Sequence, residues 1–482
     1  MDRDHTIDPQ HSPRATSGSA DVAALIALIE TAARAAVSEY QLRGGDVPSL
    51  VSVTPHPLDS EGNVINLKRA LRLLEGACDQ LCAMLVPPAQ TIMNRTNGYD
   101  AAVVRVAIDA RIADVLAEHP QGLHIGELSR AVGIEKGKLA RVMRALATRH
   151  CFHEVDTDVY ANSRISAALR SSTYSGILES ASLASFELQG ATSMLSEDLQ
   201  HTDHGASSLY RPAKTPFAQW VRLREDSHAE TFFDWLDENP DRRENFGRAM
   251  AAVGGVLGCQ SVLYEYPWQR YTSVCDVGSG VGTFAMPLAR MFPHIKVTLQ
   301  DLPGVLEQAK EDWGANFPEA VVRDRVDFTS VDFLREVPTL GQDIYYLRFI
   351  IHDWPDTEAQ TILRNVRSAM GPGARLLIQD FVIQPLDRKQ GQREAALFGM
   401  ECAPEPLLPN SGNGMARMHN QDMAMLAVFG SRERTLRELV ELGTKAELRL
   451  EKVWDLAETC LLEFVRADSW DGACRDARKA LL

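Results

Sequence analysis

Val274-Cys275-Asp276-Val277-Gly278-Ser279-Gly280-Val281-Gly282 is the stretch on which the fold reading turns. A short apolar run, SVCDV, reads as a buried strand and enters Gly-x-Gly-x-Gly. The residues that follow carry Ala285, Leu288 and Ala289 at helical spacing. Glycines let the backbone turn tightly and let a ligand approach it without meeting a Cβ. A second strand-like run, KVTLQD, ends at Asp301. An acid about 20 positions beyond such a loop, closing the second strand, accepts hydrogen bonds from both hydroxyls of a ribose. The loop alone would fit an ordinary strand-to-helix turn. With strand, helix and acid around it, it points to an adenosine-type ligand. Dinucleotide loops read G-x-G-x-x-G and seat a pyrophosphate on the helix N-terminus. This loop is G-x-G-x-G and is led by Asp276. A carboxylate there repels a pyrophosphate and attracts an ammonium, such as that of a methionine moiety. The residues therefore favour S-adenosylmethionine over NAD.

Outward from this loop, apolar runs alternate with helical stretches over 256–482: VDFTSVDF, DIYYLRF, ARLLIQDF, then LRLEKVW and TCLLEFVRA close together. That alternation predicts an α/β, Rossmann-like doubly wound sheet with an antiparallel pair at one edge. Residues 386–418 interrupt it. They are polar and rich in Pro and Gly, and read as an inserted surface loop. Upstream, 1–20 reads as a loose tail. Over 21–97 an amphipathic helix begins at Asp21, a Gly/Pro/Ser-rich loop follows, and a second helix carries Leu67, Leu71, Leu74, Cys78, Leu81 and Leu85 on one stripe. That stripe suits its own core or a helix of a second subunit. Residues 98–170 read as helix-turn-helix and hairpin, a winged-helix pattern. DNA binding and dimerisation both fit such a unit, with Arg141, Arg144 and Arg149 as the argument for DNA. Residues 171–255 read as a helical connector, dense in aromatics that belong to core or pocket.

Composition bounds the function. Of 482 residues, 45% are hydrophobic and 24% charged, enough for a real core and too ordered for a disordered chain. A net charge of −15 argues against non-specific contact with nucleic acid or an anionic membrane. No window approaches the apolar length of a membrane span, and the N-terminus has no signal-peptide core. Eight scattered cysteines read as reduced thiols. The expectation is a soluble, cytoplasmic protein with no nucleic-acid or membrane partner.

The motifs DVGSGVG, LQDLPGV, SVDF, LRFIIHDWPD, GPGARLLIQD and GSRERT, in that order, make residues 98–470 resemble the plant caffeate-type and fungal sterigmatocystin-type S-adenosylmethionine-dependent O-methyltransferases. The resemblance implies a winged-helix dimerisation part before a Rossmann-like catalytic domain, a homodimer, and an aromatic small-molecule acceptor. It implies S-adenosylmethionine as cofactor, S-adenosylhomocysteine as product, and no metal. His352 of the HDW motif would be the general base. Asp380, where relatives usually carry Glu, and Glu433 would orient it. Gly278, Gly280 and Gly282 would form the cofactor loop, with Asp276 at the methionine end. Asp301 and Leu302 would hold the ribose, Asp332 and Phe333 the adenine, and Arg348 would replace a cofactor-contacting Lys. Phe246, Met250, Asp422, Met423 and Leu426 would face the acceptor, or be plain core. An alternative reading has Asp332 as a strand-end carboxylate capping the next turn.

The residues agree with part of this on their own. His352 follows the fourth strand-like run and falls at the carboxyl edge of the sheet, where ligands of open α/β sheets bind. An unperturbed pKa near 6.5 suits proton abstraction near neutrality. Direct SN2 methyl transfer needs alignment of oxygen, carbon and sulfur and the loss of one proton, which favours a phenol of pKa near 10. Two other readings stand: a winged-helix regulator with a vestigial catalytic domain, and an N- or C-methyltransferase on the same fold.

Overall fold

The structure is a computed structural model and describes residues 18–59, 62–96, 98–173, 176–201, 214–225 and 227–468. Residues 1–17 of the expected tail lie outside them. The first helix, Gly18–Leu42, packs along the second, Ile65–Leu85. On the second helix Leu67, Ala70 and Ala77 are buried, while the stripe emerges toward its end: Cys78 is exposed and Leu85 is 64% exposed. The buried face of this helix also holds Arg72 and Gly76, because its partner there is not another apolar helix.

That partner is the 386–418 stretch, which is not the surface loop its composition suggested. It contains the helix Arg388–Phe398, whose first turn is capped by the Asp387 carboxylate accepting from the Lys389 N–H. It buries Phe398, Met400, Leu407, Asn410 and Ser411. Backbone meets backbone here. A Cβ on Gly76 would stand 2.1 Å from the Ser411 carbonyl oxygen, and one on Gly414 would stand 1.9 Å from that of Arg72. Ion pairs frame the seat. Arg72 reaches Asp455 at 3.3 Å and also Glu401, Lys68 reaches Glu458, and Arg417 lies 2.8 Å from Glu458 and 3.1 Å from Glu75. The polar composition misled because the polar groups serve an intramolecular contact.

The next unit carries the helices Ile125–Val132 and Lys136–Thr148 and strands β1 (Leu123–His124), β2 (His153–Asp156) and β3 (Val159–Ala161), in the sheet order β1-β3-β2. Ile112, Leu128, Leu139, Met143 and Tyr160 fill its core. Of the three arginines that raised the DNA reading, Arg149 lies 3.2 Å from Asp100 and Arg144 3.8 Å from Asp158.

The catalytic sheet follows: β4 (Ser273–Val277), β5 (Lys296–Asp301), β6 (Val326–Ser330), β7 (Ile344–Arg348) and β8 (Arg375–Asp380). A short parallel pair, β9 (Val382–Ile383) and β10 (Arg434–Thr435), lies beside it, and β11 (Leu448–Asp455) and β12 (Cys460–Arg466) complete it. The seven-stranded order is β11-β12-β8-β7-β4-β5-β6. Strands β4 to β8 run parallel, and β12 pairs antiparallel with both β8 and β11. Parallel strands read as continuous apolar runs because helices cover both faces. One face buries Ile362, Val366, Leu439 and Leu442; the other buries Phe284, Leu288, Leu306 and Trp313. The strand order reverses between β4 and β7, and a ligand crevice belongs at the carboxyl ends of that pair. Among the described residues, no single helix is long and apolar enough to cross a membrane.

Candidate active site

The glycine loop leaves β4 at that crevice. The Gly278 and Ser279 N–H groups both donate to the Gln300 carbonyl, at 2.8 and 3.2 Å, which ties the loop to β5. Gly278 has φ +73°, and a Cβ on it would meet Ile350 at 2.4 Å. Gly280 has φ +55°, and nothing lies within 4 Å of where its Cβ would be. The loop is closed on one side and open on the other. Gly282 is packed against Trp313 and Leu299.

Asp301 closes β5 and accepts from the Gly280 N–H at 2.9 Å and the Leu302 N–H at 2.7 Å. Burial raises its pKa against those two donors. Leu302 is exposed beside it. Asp276 is buried, and burial pushes its carboxyl up to about 7, opposed by the Arg348 guanidinium and aided by Asp301. The Arg348 guanidinium donates to the Thr283 hydroxyl. Phe333 packs edge-on against Trp354, and its ring lies 3.6 Å from a Cβ built on Gly278. Asp332 accepts from the Leu334 N–H at 3.1 Å and faces Arg335, so in this structure it caps the turn after β6. An open glycine beside the buried Asp276 and the half-buried Asp301 fits an adenosyl ligand that carries an ammonium group.

Across the crevice, β7 runs into the turn Ile351–Asp353, which holds His352 with 6% exposure. Its Nδ1 lies 2.7 Å from Glu433 Oε1. A carboxylate only accepts, so Nδ1 carries a proton, and Nε2 has a free lone pair only in the neutral ring. Nε2 lies 3.4 Å from Asp353 Oδ1. Burial disfavours the imidazolium, but the Glu433 carboxylate and then Asp353 outweigh it, and the pKa of His352 rises to about 10. Burial raises Asp353 to about 6 and Asp380 to about 7. Asp380 ends β8 beside this group, and its charge helps to raise His352, but it makes no hydrogen bond to the imidazole. Neither of its oxygens has a hydrogen-bond partner among the described residues. One methylene shorter than Glu, it does not reach the ring.

The GSRERT segment holds the turn from behind. Arg434 donates to the Ile351 carbonyl at 2.7 Å, the Trp354 carbonyl at 2.6 Å and Asp356 at 2.9 Å. The Ser431 hydroxyl donates to the His352 carbonyl. Asp422 accepts from the Glu433 N–H at 2.9 Å. Phe349, just before the turn, holds φ +55° and stacks on His352 at 5.5 Å; Phe381 stacks on Phe349 at 5.7 Å. A bulky residue in the left-handed region is strained and persists only where its surroundings enforce it. The sequence assigns no role to Phe349, Phe381, Ser431 and Arg434, and Asp353 enters it only as part of the HDW motif. Arg434 had a visible signal, lying between Glu433 and Thr435; Phe349 looked like one more strand residue.

The acceptor residues separate. Asp422 joins the base through Glu433. Phe246 packs on Phe232 at 5.3 Å, inside an aromatic cluster with Phe217 and Trp235. Met250 and Met423 are 42% and 41% exposed. Leu426 is half-buried in the π-helical turn Met425–Phe429, a feature frequent at functional sites. The apolar residues packed with Phe349 and Phe381 are instead Val253, Met415 and Met418.

Two family profiles match this chain, an O-methyltransferase domain over 217–449 and an O-methyltransferase dimerisation domain over 96–172. A "3-O-methyltransferase 2" of Phanerochaete chrysosporium is 36% identical, over 93% of this chain and 98% of its own length. The chain belongs to the O-methyltransferase family. This methyltransferase carries the catalytic and the dimerisation parts in one chain. Among solved structures, the O-methyltransferase NcsB1 from neocarzinostatin biosynthesis, in complex with S-adenosylmethionine and 2-hydroxy-5-methyl naphthoic acid, has a TM-score of 0.57 at 21% identity. It covers 77% of this chain and 98% of that one. A structure titled "A Pericyclic Reaction enzyme" has a TM-score of 0.64, also at 21% identity, over 93% of this chain and 100% of its own. The fold thus hosts more than one chemistry, and the reaction is argued from the family and from the site.

Proposed function

We propose that this methyltransferase moves the methyl group of S-adenosylmethionine to a phenolic hydroxyl of an aromatic small molecule, with His352 as base. The carrying observation is the His352–Glu433 pair, buried across the β4/β7 crevice from a glycine loop that is open at Gly280. When bound, the cofactor supplies an electrophilic methyl group on a sulfonium, already a good leaving group. Asp301 has the carboxylate for the ribose hydroxyls and Asp276 the charge for the ammonium. Phe333 stands where it can cover the base. His352 Nε2 takes the proton of the acceptor hydroxyl, and Glu433 at Nδ1 holds the imidazole in place and stabilises its charged form. Phe349 and Phe381 offer ring faces to an aromatic acceptor.

A homodimer formed through the N-terminal region fits the dimerisation profile and the apolar surface at the end of the second helix. The seven cysteines among the described residues are free, which suits the cytoplasm. The first test is calorimetric titration with S-adenosylhomocysteine and with NAD, followed by phenol methylation by wild type and His352→Ala. The expected result is micromolar binding of the first alone and a kcat lower by about 10²–10⁴ in the variant, the range for a lost general base. Binding of NAD alone, or full turnover without His352, would remove this reading. Steep, salt-dependent DNA retention would favour the regulator instead.

A further inference from the structure

The base sits on a short turn that is held mainly from outside. Ile351–Asp353 follows directly on Ile350 and the strained Phe349, whose φ is +55°. The turn's own hydrogen bonds are long. The Asp353 N–H reaches the Ile350 carbonyl at 3.2 Å, and the Trp354 N–H reaches the Ile351 carbonyl at 3.4 Å. Those from outside are shorter. Arg434 donates to the Ile351 carbonyl at 2.7 Å and to the Trp354 carbonyl at 2.6 Å, and the Ser431 hydroxyl donates to the His352 carbonyl between them. A strained conformation persists only where its surroundings impose it.

Both donors come from the segment that carries Glu433. That segment therefore grips His352 twice, at the ring through Glu433 and at the backbone through Ser431 and Arg434. Arg434 is itself anchored. It is 2% exposed, and it donates to Asp356 from Nε at 3.1 Å and from a terminal nitrogen at 2.9 Å. Asp356 opens the helix Asp356–Ala369, which follows the turn. A guanidinium presents its donors in a rigid planar fork and stays charged at every working pH. One side chain thus fixes both ends of the turn, Ile351 and Trp354, against the helix behind them.

We propose that Arg434, assisted by Ser431, is a positioning residue for the methyl transfer: it pins the His352 turn to the Glu433 segment, so that Nδ1 stays on Glu433 and Nε2 stays aimed at the acceptor hydroxyl. This rests on the phenol-methylating function proposed above. Arg434 acts through His352 alone, since its donors go to the turn and to Asp356. Its removal should therefore matter only when there is a proton to take.

The test compares wild type with Arg434→Lys, which keeps the charge and loses the fork, and with Ser431→Ala, which removes one small donor. Binding of S-adenosylhomocysteine reports that each variant is folded. With 4-methylphenol, kcat of Arg434→Lys should fall by about 10- to 100-fold at little change in KM, the cost of a misplaced group. Ser431→Ala should fall less, in the same direction. With 4-nitrophenol, at a pH where it is already ionised, both losses should nearly vanish. In a His352→Ala background, Arg434→Lys should cost nothing further, because the two act as one unit. The rise of kcat/KM with pH should begin lower in both variants, since a loosened Glu433 leaves Asp353 and Asp380 to raise His352 alone. Equal losses on both acceptors with an unmoved pH profile would mean a merely structural role and would overturn the proposal, as would an Arg434→Lys enzyme as active as wild type. If Arg434→Lys does not fold, Ser431→Ala decides by the same comparison. If wild type methylates no phenol while binding S-adenosylhomocysteine, the phenol reading fails instead. The downfield NMR resonance of the His352 Nδ1 proton, expected in wild type and weakened in Ser431→Ala, then still tests the clamp, and an unchanged resonance would overturn it.

Discussion

His352 and Asp276 show how burial and neighbours set the working charge of a side chain. Glu433 and Asp353 hold His352 near pKa 10, close to that of an ordinary phenol. With a pKa near 10 the ring is mostly protonated at neutrality, so only its neutral fraction acts as base, and kcat/KM should rise as pH climbs toward 10. The base matters only while the acceptor holds its proton. The loss in His352→Ala should therefore be large for a simple phenol and shrink toward nothing for a nitro-substituted phenol that is already ionised, read as kcat/KM at fixed pH. Asp276 gives a second pH signature. Burial raises it to about 7, and its ionised form attracts an ammonium. Affinity for S-adenosylhomocysteine should fall as pH drops below 7, by up to about tenfold per unit, and the slope should vanish in Asp276→Asn. The linked stability has the opposite sign. A raised carboxyl pKa means that the folded state binds the extra proton. The free protein should thus lose stability as pH climbs from about 4 to 7, less so in Asp276→Asn or Asp380→Asn.

At the scale of elements, the second helix and the 386–418 stretch are one device. The helix Ile65–Leu85 lies against Ser411 and Gly414, and the chain runs on from there into the helix Ala416–Ala424. That helix carries Asp422, which holds the Glu433 N–H. A methyl group at Gly414 would strike the Arg72 carbonyl, so Gly414→Ala should cost about 1–3 kcal/mol of stability, read as a lower Tm. Because the displacement propagates to Glu433, kcat should fall more than affinity for S-adenosylhomocysteine does. The sequence was legible where period and punctuation carry the information. The apolar runs of β4 to β8, the glycine loop and the turn after β7 could all be placed from residues alone. The 386–418 stretch could not, because its buried apolar residues, such as Phe398, Met400 and Leu407, follow no regular period and much of its contact is made by backbone, Asn410, Ser411 and ion pairs. The same limit hid Arg434 and Ser431. They act through carbonyls of the His352 turn, and a carbonyl contact has no sequence period.

At the scale of the molecule, Leu85, Ile92, Met93 and Tyr99 are each more than 60% exposed and follow one another into the dimerisation segment that begins at 96. Exposed apolar groups in succession mark an association surface. The protein should sediment as a dimer, and Ile92→Asp with Met93→Asp should dissociate it while the circular dichroism of the monomer stays folded. The seat of the second helix has one more consequence, for the order of events during synthesis. Arg72 and its partner Asp455 are 383 positions apart. At ribosomal rates of 5–20 residues per second, the helix waits roughly 20 to 80 s after leaving the tunnel before its docking surface exists. Throughout that interval its buried face is open to whatever else the cell contains, so the nascent chain is a natural client for a chaperone.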